Sequence, residues 1–90
     1  MMHAGWSSYI GTNNANALVF TTNEGRFWFS YRTLVAFQAW SGSSKLVVRR
    51  NEWGNTTGRH LNAIDEGRKG ERLSGDEFFV EYNRQFKGVA

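Results

Sequence analysis

The stretch Ala17-Leu18-Val19-Phe20-Thr21-Thr22-Asn23-Glu24-Gly25-Arg26-Phe27-Trp28-Phe29-Ser30-Tyr31 decides the fold. Its first six residues are β-branched, aromatic or apolar, Asn23-Glu24-Gly25 supplies turn chemistry, and Phe27, Phe29 and Tyr31 recur at period two. Two such runs around a short polar turn predict a β-hairpin. The next strand is Leu34-Val35-Ala36-Phe37-Gln38-Ala39-Trp40. Ser41-Gly42-Ser43-Ser44 closes it, and Lys45-Leu46-Val47-Val48-Arg49-Arg50 makes a second hairpin. Tyr31-Arg32-Thr33 contains no Gly or Asn to mark a reversal, so a bent continuous strand remains an alternative there.

Beyond Asn51 the period changes. Thr56 or Thr57 is placed to cap a helix with Leu61 and Ile64 on one face, and Gly67 to stop it. Gly67-Arg68-Lys69-Gly70-Glu71-Arg72 is a charged loop. Ser74-Gly75-Asp76-Glu77 reads as a capping box, with Leu73 stapled against Phe78. The helix it starts carries Phe78, Tyr82 and Phe86 at spacings of four, one apolar stripe. Strands first and helices last predict an α+β fold: an antiparallel sheet of about four strands, then two C-terminal helices packed on one face. Residues 1–16, small and polar apart from Trp6, Tyr9 and Ile10, form an irregular arm with a short edge strand around Ser8 to Ile10, and residues 17–90 form the single domain.

Composition limits the chemistry. The 90-residue chain has no cysteine, hence no disulfide framework and no thiolate for a metal or for covalent catalysis. No apolar run approaches membrane-spanning length, and residues 1–6 show no secretory pattern, so the expected location is cytoplasmic. Eight Arg and three Lys against eight acids leave +3, which permits an anionic partner without demanding one. The four Trp, seven Phe and three Tyr exceed what a small core readily encloses, so some rings should lie at a surface or an oligomer interface.

The densest polar cluster is Arg49-Arg50-Asn51-Glu52-Trp53-Gly54-Asn55-Thr56-Thr57-Gly58-Arg59-His60, where a strand end meets a helix start, and its candidate ligand residues are Arg49, Arg50, Trp53, Asn55, Thr56, Thr57, Gly58, Arg59 and His60. Free N–H groups, hydroxyls and arginines there suit an anion. Capping alone also accounts for the threonines, and the spacing is not that of a P-loop. His60 in a first helical turn is placed for acid–base work, yet beside Leu61 it reads better as a partly buried structural residue. Asp65 lies off the helical neighbour spacing from His60, and the acids Asp76, Glu77 and Glu81 belong to the second helix and its dipole. No catalytic set, cofactor or metal site is expected. A second candidate surface interleaves Arg26, Trp28, Arg32 and Trp40 along the strands, a mixture able to stack bases or meet a partner.

Trp53-Gly54-Asn55-Thr56-Thr57-Gly58-Arg59-His60-Leu61-Asn62, preceded by Tyr31-Arg32-Thr33-Leu34-Val35-Ala36-Phe37, resembles a family of small bacteriophage proteins. In these a Val-Ala-Phe-like strand end precedes a Trp-x-Asn-Thr-Thr-Gly-Lys/Arg-His-Leu motif. The resemblance spans about residues 30–65 and brings no catalytic residue with it. It implies a viral setting: a non-enzymatic binding protein in the cytoplasm of an infected bacterium. Such a protein would antagonise a host defence, by binding a nucleic-acid-handling effector or sequestering an anionic nucleotide signal. The alternative is a homo-oligomeric assembly module whose charge is incidental. A small nuclease using His60 and Arg59 is a weaker third.

Overall fold

The computed structural model describes residues 5–11, 15–41 and 45–86. Parts of the N-terminal arm and of the turn at 41–44 lie outside them. Five strands, β1 (Gly5–Ser8), β2 (Ala17–Thr21), β3 (Gly25–Ser30), β4 (Thr33–Ala39) and β5 (Leu46–Val48), form one antiparallel sheet in the order β1-β2-β3-β4-β5. Helices α1 (Asn55–Asp65) and α2 (Gly75–Phe86) follow, with a 3-10 turn at Lys69–Glu71 between them. The class is α+β as the sequence indicates. The strand expected at Ser8–Ile10 lies at Gly5–Ser8, where it pairs with β2 and adds a fifth member to the sheet.

Two local devices set the sheet. At the β2–β3 turn, Thr22 Oγ1 accepts from the N–H groups of Glu24 and Gly25 at 3.0 and 3.2 Å. A Cβ on Gly25 would meet the Gln38 carbonyl oxygen at 2.5 Å, so this position requires glycine. The reversal between β3 and β4 is a tight turn, not a bend: Tyr31 adopts φ +58°. That left-handed conformation costs a non-glycine residue roughly 1–2 kcal/mol, and the absence of Gly or Asn hid the turn from the sequence. Next to it the register shifts between Trp28 and Phe29, which pair with Ala36 and Leu34, leaving Val35 as the extra residue of a bulge.

The two faces of the sheet are both apolar, and each takes one helix. Val19, Trp28, Ala36 and Val48 stand opposite one another across four strands and pack with Val35 and with Leu61 of α1. Phe27, Phe37 and Val47 share the other face and pack with Phe78, Tyr82 and Phe86 of α2. There the Phe37 ring lies 5.1 Å from Phe78, 5.3 Å from Tyr82 and 5.6 Å from Phe86. The helices therefore sandwich the sheet, and the expectation that both would share one face is corrected. The chain crosses between layers at the edge of β5, where Arg50 N–H donates to the Leu73 carbonyl and Leu73 N–H to that of Val48, at 2.7 and 2.9 Å. The same arrangement corrects Trp28 as a stacking ring for a partner: it is 9% exposed, beneath α1.

Helix starts follow the sequence at α2 only. Ser74 N–H donates to Glu77 Oε1 at 3.1 Å and Glu77 N–H to Ser74 Oγ at 3.2 Å, the reciprocal pair of a capping box. Leu73 and Phe78 join the same apolar cluster, as a staple would. In α1 neither Thr56 nor Thr57 caps. The N-cap is Gly54, no side chain satisfies the first turn, and both threonines lie within it. The helix stops at Glu66, φ +58°, one residue before Gly67.

Candidate functional site

The first turn of α1 sends its side chains two ways. Outward, Asn55, Gly58, Arg59 and Asn62 lie at spacings of three and four, on one helical stripe. With Arg50, Asn51, Lys69 and Arg72 they line an open groove of about 580 Å³ between α1 and the 69–72 segment. Arg59 and Lys69 are exposed and have no ion-pair partner among the described residues, and Arg50, also exposed, makes no direct ion pair there although its charge helps to lower the Glu77 carboxyl's pKa. No carboxylate lines the groove. The uncapped helix start, with no acidic residue in its first turn, adds the positive end of its dipole.

Arg72 is different in kind. Its Nε and Nη2 donate to the two Asp65 carboxylate oxygens at 2.7 and 2.8 Å, and Nη2 also to Asn62 Oδ1 at 2.9 Å. The side chains of this pair are only 4% and 6% exposed. Burial alone would raise the Asp65 carboxyl's pKa. The hydrogen bonds and charge of Arg72, with the N–H groups of Gly67 and Arg68, outweigh burial and hold it below its usual value. The pair locks the end of α1 to the segment that carries Lys69, and so fixes the groove's width.

Inward, Thr57 and His60 are buried against the sheet. Ser30 Oγ lies 3.1 Å from Thr57 Oγ1 and shares a 2.7 Å hydrogen bond with His60 Nδ1. The Tyr9 ring meets the His60 ring edge-on at 6.1 Å, and that of Tyr31 lies 5.8 Å away. Burial pushes the imidazole pKa below its usual value, so the ring is neutral near pH 7. His60 is thereby a buried tie between α1 and β3. Over this tie lies a cleft of about 280 Å³ lined by Ser30, Tyr31, Thr33, Val35, Trp53 and Thr57.

Of the expected cluster, then, Arg50, Asn55, Gly58 and Arg59 come together at the groove, Thr57 and Trp53 at the cleft, and Thr56 is exposed on the first turn. Arg49 does not join them. Its guanidinium sits 4.9 Å from the Trp53 ring and 5.3 Å from that of Phe79, and it pairs with Glu52 at 3.1 Å. Trp53 is 45% exposed, a lining ring and not a core anchor. Of the strand set, Arg26, Trp28 and Trp40 come together and Arg32 stands apart. Arg26 stacks over Trp28 and Trp40 at 5.9 and 5.5 Å, Trp40 Nε1 donates to the Thr22 carbonyl at 2.9 Å, and Arg32 is exposed at the β3–β4 turn.

Asn62, Lys69 and Arg72 were not singled out from the sequence, and Asn51 stood in the polar cluster without being named as a ligand residue. Asn62 completes the stripe of Asn55 and Arg59, a legible signal. The others arrive from loops. Asn51 is held by its own turn, with Nδ2 donating to the Gly54 carbonyl and Oδ1 accepting from Trp53 N–H, both at 3.0 Å. Among the described residues no group of three His, Cys, Asp or Glu is placed to hold a metal, and no helix is long and apolar enough to cross a membrane.

A family model matches residues 7–81, from within β1 to within α2: the chain belongs to a family of unknown function (DUF8033). No curated protein and no solved structure matches it.

Proposed function

We propose that this family member is a non-enzymatic binding protein that takes a phosphate-bearing ligand in the groove between α1 and the 69–72 segment. The observation that carries the reading is the groove's charge: Arg50, Arg59 and Lys69 converge there with no carboxylate in the lining, and Arg59 and Lys69 have no ion-pair partner among the described residues. Like charges held together destabilise a fold unless an anion relieves them, and amide donors from Asn51, Asn55 and Asn62 suit phosphate oxygens. The dimensions are those of a small-molecule site, which favours sequestration of an anionic nucleotide. The resemblance to bacteriophage proteins supplies the setting: a cytoplasmic antagonist of a host defence that works through a nucleotide signal or a nucleic-acid-handling effector.

A nuclease is disfavoured, because His60 is buried toward the sheet while Arg59 lines the open groove. The assembly reading draws on other observations, the exposure of Trp6 (57%) and Val80 (69%), and sedimentation across a concentration range tests it.

The decisive experiment is a thermal-shift panel of pyrophosphate, nucleotides, cyclic oligonucleotides and single-stranded nucleic acid. Melting temperature should rise with a phosphate-bearing ligand, less so at high salt, and the rise should vanish in Arg50→Ala and Arg59→Ala. No shift with any member of the panel would overturn the reading. A host protein retained on co-purification, with no shift from small anions, would replace sequestration by effector binding.

A further inference from the structure

We infer that the cleft between Tyr31 and Trp53 is a second subsite, one that holds a planar heteroaromatic ring, a nucleobase, of the ligand whose phosphate occupies the groove. The inference rests on the reading of the groove, but its evidence is separate. Tyr31 and Trp53 wall the cleft while remaining 48% and 45% exposed. Ser30, Val35 and Thr57 are its buried floor. Two aromatic walls over an apolar residue match a base, which stacks by its faces, and the Ser30 and Thr57 hydroxyls, already bonded to each other and to His60, keep acceptor lone pairs for its edge.

Both walls are positioned. Tyr31 keeps a ring at φ +58°, where the turn itself calls for Gly or Asn, and that ring rests 5.8 Å from buried His60. Trp53 carries the Arg49 guanidinium 4.9 Å from its ring, and its backbone N–H donates to Asn51 Oδ1. Walls already held by such contacts need less ordering when a ligand enters. Cleft and groove also adjoin through the chain. Thr57 lines one and Gly58 the other, and Asn51, bonded to Trp53, lines the groove. No aromatic residue lines the groove, so of the two sites only the cleft offers aromatic rings on which a base can stack.

The test is calorimetric titration of the full chain with the four nucleoside monophosphates, ribose 5-phosphate and the four nucleosides. At least one nucleotide should bind on the order of tenfold more tightly than ribose 5-phosphate. Trp53→Ala and Tyr31→Asn, the latter suited to the left-handed turn, should erase that difference and leave the affinity for ribose 5-phosphate unchanged. Trp53→Phe and Tyr31→Phe should preserve it. Equal affinity of nucleotides and ribose 5-phosphate would overturn the base subsite while the groove stands. Nucleoside binding that depends on Trp53, without any binding of ribose 5-phosphate, would keep the cleft and overturn the groove. Binding of none would overturn both.

Discussion

Asp65→Ala should be among the most damaging single changes in this chain. The substitution removes the acceptor of two Arg72 hydrogen bonds, at 2.7 and 2.8 Å, and leaves a guanidinium whose side chain is 4% exposed with one remaining partner, Asn62, at 2.9 Å. Breaking a buried pair from one side costs about 3–5 kcal/mol, because the surviving charge is neither solvated nor compensated. Here the survivor is a cation in a groove already lined by Arg50, Arg59 and Lys69, which argues for the upper half of that range. A 90-residue domain has roughly 5–13 kcal/mol to lose. The melting temperature should therefore fall by more than about 12 °C. Arg72→Met should cost less, since Asp65 keeps the Gly67 N–H at 3.0 Å and can take up a proton. The assay is urea denaturation followed by circular dichroism on wild type, both single variants and the double variant. The double variant should be more stable than the sum of the single losses implies, by at least about 1 kcal/mol of coupling. An Asp65→Ala protein within about 1 kcal/mol of wild type, or strictly additive losses, would refute the reasoning.

Three further outcomes are expected. The His60 imidazole has a folded-state pKa below its unfolded value near 6.5, so the stability it contributes is complete above that value and is lost as pH falls through the lower folded one. Urea midpoints should drop between about pH 7.5 and pH 5.5, and His60→Gln should flatten that slope; an unchanged slope in the variant would place the titration elsewhere. Gly25→Ala should destabilise by about 1–3 kcal/mol in thermal melts, because its Cβ would stand 2.5 Å from the Gln38 carbonyl oxygen. Ser74→Ala should cost about 1 kcal/mol and Ser74→Asp close to nothing, read from the same melts; equal losses would mean that the box does not hold α2.

The elements that declared themselves in the sequence are those whose signals are local. Period two in Phe27 and Phe29, the Asn23-Glu24-Gly25 turn, the Ser74–Glu77 box and the Phe78, Tyr82, Phe86 stripe each sit within a dozen residues, and each corresponds to an observed element. The layer order was less accessible, although a trace of it was present. Trp28 between Phe27 and Phe29 puts large rings on both faces of one strand, which suits a sheet covered twice better than a sheet with a solvated side. The chain reaches the second face only because Leu73 pairs with the edge of β5, a long-range event that no local pattern announces.

The site divides in the same way. Asn55, Arg59 and Asn62 share a stripe that helical spacing alone defines. His60 was placed correctly on α1, but its partner Ser30 lies thirty residues upstream, and only the stacking of α1 on β3 brings them to 2.7 Å. The Asp65–Arg72 pair spans a loop that turns through Glu66 and the 3-10 segment, so the neutralisation of one groove arginine, and with it the groove's net charge, was hidden.

The central claim is that a phosphate group binds between α1 and the 69–72 segment. Amide chemical-shift mapping during titration with pyrophosphate at low salt tests it most directly. The account predicts saturable shifts concentrated at Arg50, Asn51, Asn55, Gly58, Arg59, Asn62 and Lys69, abolished in Arg59→Ala. Shifts that scatter over the surface without saturating, or that gather on the α2 face, would contradict it.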